Sequence, residues 1–250
     1  MKSEQRVLAC VDQSHFADHV TDYAAWAARR MQAPLELLHV IDRHPETATS
    51  TDHSGAIGLG AQTQLLHDLS DRDESRSKDA RERGRIFLNR LRERAIAAGA
   101  IEPDIRQRLG EIESTLTEQQ EDVQLFILGR RGRSAEATQR DLGRNVERVV
   151  RALKKPILAV TDNFSEPRRA LFAFDGGSIT RRGVRTIADS PLFKGMPLQL
   201  LMSGKQGSDA AKQLEWAGRT LTDAGIDATT SMISGDAERI IGGQVLDNGI

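Results

Sequence analysis

Gly129, Gly132 and Gly143 follow the apolar run LFIL, and Arg130, Arg131, Arg133, Arg140 and Arg144 are set around them. Without a Cβ at 129 and 132, backbone N–H groups there can close on an anion. Gly143 would open a helix whose first N–H groups have no intrahelical acceptor and point back at the same place. The chemistry on offer is capture of phosphate. A plain surface turn with a basic coat has the same spacing, and spacing alone does not separate the two. Two aspartates end apolar runs elsewhere, Asp12 after RVLACV and Asp175 after RALFAF. An aspartate there is also an ordinary helix N-cap, but its recurrence at both run ends favours a ligand site.

Other arrangements carry less. His15 and His19 are four apart, yet Phe16 stands where a zinc-binding helix would carry its glutamate base, so no metal site is read there. SGKQGS at 203–208 lacks the glycine of a phosphate loop, because Gln199 occupies that position, and GLGAQT at 58–63 lacks its third glycine. Of the carboxylates near the glycine loop, Asp141 and Glu147 read more simply as helix surface. At most slow ATP turnover is expected, and no catalytic residue is assigned. His39, inside an apolar strand, reads as a hydrogen-bonded core residue.

Composition narrows the classes further. The chain has 250 residues, 35 basic against 36 acidic, with a net charge of -1. That balance gives no bulk attraction to nucleic acid or membrane. Aromatics are 4% of the chain, so bases stacking beside the arginine loop are not expected either. Cys10 is the single cysteine, which excludes an internal disulfide and points to a reducing, cytoplasmic setting. No run approaches the roughly 20 apolar residues of a membrane span.

The elements that must hold these residues repeat. RVLACVD and RALFAFD each lead to a helical stretch and then to a second apolar run, LELLHVID or LQLLMSG, preceded by Pro34 or Pro197. Strands apolar at consecutive positions, alternating with helices, predict a doubly wound α/β parallel five-stranded sheet buried on both faces, duplicated. In the first copy the period predicts a helix from Ser14 as N-cap with Phe16, Val20, Tyr23, Ala24 and Ala27 on one face. A second helix is expected over 79–98, with Gly84, Phe87, Leu88, Leu91, Ala95 and Ala98 as its stripe and Gly99 as cap. A strand at 105–109, the helix EIESTLTEQQE, the strand VQLFILG, a helix over 145–153 and the strand PILAVTD complete it. The polar stretch 42–77 reads as a long mobile excursion with a short helix at AQTQLLHDLS.

The copies differ in length. Gly110 precedes Gly129 by 19 positions, and the same step from Gly235 falls beyond Ile250. The reading therefore gives a complete domain at 1–163 and a partial one at 164–250, lacking its last two strands and glycine loop. It predicts either a parent protein roughly 40 to 50 residues longer, judged from repeat length, or a half-domain whose open edge a partner covers.

The order of strand-Asp, helix, LLHV, long connection, Gly110-Glu111 helix, LFILG, glycine loop, helix and KPILAV resembles the universal stress protein (UspA-like) family, over residues 6–162 and partly over 169–250. The duplication resembles its tandem-domain members. The resemblance implies a Rossmann-like, adenine nucleotide alpha hydrolase-like fold that binds ATP or AMP, with room for magnesium beside ATP. It places Asp12 beside the adenosine, backbone at Val11 and Val40 along the base, and Gly129, Gly132, Gly143 and the N–H groups of Arg144, Asn145 and Val146 at the phosphates. Two departures stand out. The second gap is ten residues where the family pattern has nine, and Arg144 replaces the usual small hydroxyl. A guanidinium can meet phosphate bidentately in its place. The second copy, with Asp175, Gly176, Gly177 and Ser178 but no loop, is not expected to bind nucleotide.

The expected role is regulatory or protective binding of an adenine nucleotide in the stress response, shifting the surface shown to an unidentified protein partner. A homodimer is expected. The alternatives are a module that binds no nucleotide and works by dimerising through PILAVTD, and contact with nucleic acid through the arginines.

Overall fold

A strand that is apolar at every position needs cover on both sides, and the computed structural model shows how the chain provides it. It describes residues 5–41, 61–130, 144–160, 163–204 and 207–250, in two units. One unit comprises Met1–Arg29 with Ala33–Phe164, the other Arg30–Gln32 with Ser165–Ile250.

The first unit runs β1 Arg6–Cys10, α1 Ala17–Met31, β2 Leu35–Ile41, α2 Ala61–Ala97, β3 Asp104–Leu109, α3 Ile112–Gln119, β4 Val123–Gly129, α4 Arg144–Ala152 and β5 Ile157–Val160. The strands form one sheet in the order β3-β2-β1-β4-β5, every neighbouring pair parallel. Register decides the faces. Leu8 lies beside Phe126, and Phe126 beside Ile157. With Leu38, Leu116, Leu128, Val149 and Leu153 these residues fill the core between the sheet, α3 and α4. Val7, Ala9, Leu37, Leu125 and Ile127 alternate with them and are also buried, on the face that carries His39 and Gln107, where α2 passes.

Two local expectations change. Helix α1 begins at Ala17, so Ser14 is not its N-cap; Ser14 instead donates its N–H and hydroxyl to Asp12. Helix α2 is continuous from Ala61 to Ala97, so the short helix expected at AQTQLLHDLS and the helix expected over 79–98 are one element, joined through residues 71–78; residues 42–60 lie outside the described ones. The join was hidden because the residues just before the expected stripe carry no apolar period. Lys78, Asp79, Arg81, Glu82 and Arg83 are all exposed, and support comes from pairs such as Glu82–Arg85. The expected stripe begins at Gly84. A Cβ there would lie 2.1 Å from Gln107 Nε2 and 3.2 Å from His39 Cδ2, so glycine lets α2 approach the sheet.

The second unit runs β6 Ala170–Ala173, α5 Ser178–Asp189, β7 Leu198–Ser203, α6 Ser208–Asp223, β8 Ala228–Ile233 and α7 Ala237–Asn248. Its parallel sheet has the order β6-β7-β8, the order of the first unit's opening three strands. Phe174, Val184, Leu198, Leu200, Met202, Ala217 and Leu221 fill its core. A smaller, three-stranded sheet fits an incomplete second copy.

Candidate functional site

In an open parallel sheet the strand order reverses at one point, and the crevice there opens at the carboxyl ends of the two strands. Here the chain works outward from β1 through β2 to β3, then returns to place β4 on the other side of β1. The reversal therefore lies between β1 and β4. Cys10 is in register with Leu128, so the residues that follow, Val11 and Asp12 on one strand and Gly129 and Arg130 on the other, leave the sheet side by side.

Each has a definite setting. Val11 is 2% exposed, and its N–H donates to the Leu38 carbonyl at 2.9 Å. Its own carbonyl accepts from His39 Nδ1 at 2.9 Å. His39 is the packed, hydrogen-bonded residue expected of its strand, at 7% exposure. Asp12 is half-buried, and its Oδ1 accepts the Ser14 N–H at 3.2 Å and the Ser14 hydroxyl. Val40 is half-buried on β2. Gly129 closes β4, and the Arg130 N–H extends the ladder to the Val160 carbonyl at 2.9 Å. Gly132 and Gly143 lie outside the described residues. Helix α4 begins at Arg144, which puts the N–H groups of Arg144, Asn145 and Val146 in a first turn with no intrahelical acceptors. Glu147 pairs with Arg151 on the helix surface at 2.7 Å. Among the described residues no three His, Cys, Asp or Glu side chains converge as a metal cluster; His15 is exposed and His19 half-buried.

Cys10, half-buried beneath this edge, is desolvated and faces Asp12, which together push its thiol up to about 12. It should be inert. At pH 8 its thiolate fraction falls on the order of a thousandfold below that of a free thiol, and the higher nucleophilicity of a basic thiolate recovers only part of this. The expected result is reaction with dithionitrobenzoate at least about 50-fold slower in the native chain than in urea. Equal rates would show that the thiol is ionised and accessible.

The corresponding aspartate of the second unit is used differently. Asp175 Oδ1 accepts from the Thr180 hydroxyl and from the Gly177 N–H at 2.8 Å, and these bonds hold its carboxyl below the usual carboxylate range. Gly176, between them, has φ +79, where glycine is favoured, and a Cβ on it would strike Gln213. This turn closes on itself.

Glu36 had no signal of its own within LELLHVI. It is 2% exposed, with its carboxylate 2.9 Å from Arg6 Nε and 3.1 Å from Arg106 Nε. Arg6 also donates to Gln119 on α3. Two guanidinium groups offset the cost of burying that charge. The group sits at the amino-terminal half of β2, away from the crevice.

The sequence and the fold have known relatives. The profile described as the Universal stress protein family matches residues 4–161. A universal stress protein of Synechocystis sp. is 30% identical over 249 residues, covering 98% of this chain and 87% of that protein. The crystal structure of a universal stress protein from Archaeoglobus fulgidus has the same fold at a TM-score of 0.66 and 17% identity, over 100% of this chain and 85% of that one. A second Archaeoglobus fulgidus universal stress protein, solved in complex with dAMP, is 16% identical over 63% of this chain and 98% of its own, with a TM-score of 0.37.

Proposed function

Because the chain belongs to the universal stress protein family, we propose that its first unit binds an adenine nucleotide, ATP or AMP, at the β1/β4 crevice. The observation that carries this reading is the side-by-side exit of Asp12 and Gly129 where the strand order reverses. Asp12 would receive the ribose, and the segment from Gly129 to Gly132 with the first turn of α4 would receive phosphate. Both polar groups of Val11 are already bonded, so Val11 offers the base mainly apolar contact beside Val40. A magnesium ion accompanying ATP would be carried by the phosphates. Occupancy would act by shifting which surface a protein partner meets, with no turnover required. The second unit, which has no counterpart of the glycine loop, is not expected to bind nucleotide itself.

Saturation titration with labelled ATP, repeated with AMP, tests the reading. One site per chain is expected, and no saturation at millimolar nucleotide would end it. One observation favours a second reading. Among the described residues β5 is an edge of its sheet, paired only to β4, so β5 pairing between two copies would give a dimer that needs no nucleotide. A dimer in sedimentation without ATP binding would leave that reading standing. Binding to RNA that falls steeply with salt would instead implicate the arginines.

A further inference from the structure

We infer that His39 is a positioning residue for the crevice, holding the peptide that carries Asp12. The inference takes its ligand from the nucleotide reading above, but its geometry stands apart from it. The β1–β2 ladder ends with the Val11 N–H donating to Leu38. The next acceptor, the Val11 carbonyl, takes its hydrogen from a side chain, His39 Nδ1, at 2.9 Å. A carbonyl only accepts, so Nδ1 carries the proton. The peptide between Val11 and Asp12 is planar and trans, as no cis bond occurs among the described residues. Fixing the Val11 oxygen therefore aims the Asp12 N–H away from His39, and β4 flanks β1 on the side opposite β2.

The ring is itself held. It is 93% buried, being 7% exposed. Phe87 of α2 meets it edge-on, with centroids 5.4 Å apart and planes at 64°. Gly84 of the same helix leaves only enough space for the ring, since a Cβ there would lie 3.2 Å from Cδ2. His39 thus ties α2 to the exit of β1, and movement of that helix would reach Asp12 through one hydrogen bond.

The test compares His39→Leu, His39→Asn and His39→Gln in the full chain, by amide NMR of Asp12 and by ATP titration. Asparagine places an N–H where Nδ1 stands, whereas the glutamine amide reaches to the Nε2 position. His39→Leu and His39→Gln should move the Asp12 amide resonance, speed its hydrogen exchange and weaken ATP binding about tenfold, while His39→Asn keeps wild-type values. If His39→Leu does not fold, the Asn and Gln variants still decide. An Asp12 amide unchanged in His39→Gln, or disturbed equally by asparagine, overturns the inference. Wild-type chain that binds no ATP refutes the nucleotide reading instead, while the Asp12 amide still reports on His39.

Discussion

Gly132→Val is expected to weaken ATP binding by at least about 100-fold while leaving the unfolding midpoint of the first unit unchanged. The loss follows from what a cradle of amides does. Each N–H on a charged phosphate is worth about 1.5–3 kcal/mol, and a branched side chain that holds the backbone off the anion removes two such bonds together. Gly132 lies outside the described residues, but covalent geometry limits where it can act. Three peptides carry it no further than about 11 Å from Gly129, which closes β4 at the crevice. Stability should hold, because the sequence around Gly132, GRRGRSAEATQR, offers no apolar run to a core, and surface substitutions usually change stability by less than about 0.5 kcal/mol. Isothermal titration and urea unfolding check the two halves. Unchanged affinity would move the phosphate away from this loop.

Phe126→Ala should cost the first unit about 3–5 kcal/mol. Phe126 is fully buried in β4, the strand that carries Gly129, between Leu8 of β1 and Ile157 of β5. Truncation leaves a cavity in the core it shares with Leu38, Leu116 and Val149, one that the paired strands on either side cannot close. The two tryptophans allow a clean measurement, since Trp26 lies in the first unit and Trp216 in the second. In a Trp216→Phe background, the fluorescence of buried Trp26 follows the first unit alone. A loss below about 1 kcal/mol would mean that β4 is not central to that core.

Much of this was legible in the residues. VQLFILG and RVLAC are apolar at successive positions, so they had to be strands covered on both faces, and parallel pairing followed from the helices between them. Gly84, Phe87, Leu88 and Leu91 recur at helical spacing because one side of α2 is buried. What the residues did not show is that this stripe and the short helix at AQTQLLHDLS belong to one helix: Lys78, Asp79, Arg81, Glu82 and Arg83, ahead of the stripe, are exposed and carry no apolar period. Glu36 was hidden for the opposite reason: one carboxylate in an apolar strand gives no sign of the two arginines, from β1 and β3, that neutralise it.

The sequence determined by itself that this chain builds parallel α/β layers twice, and that backbone freed by glycine follows the strand LFILG. Periodicity is local, and a strand buried on both faces can be recognised from its own residues. Only the tertiary structure decided that β4 returns to the far side of β1. That choice makes neighbours of Asp12 and Gly129, two residues far apart in the chain, and sets His39 against the Val11 carbonyl. Which strands share an edge is settled by packing among all the layers at once, and no single segment carries that information.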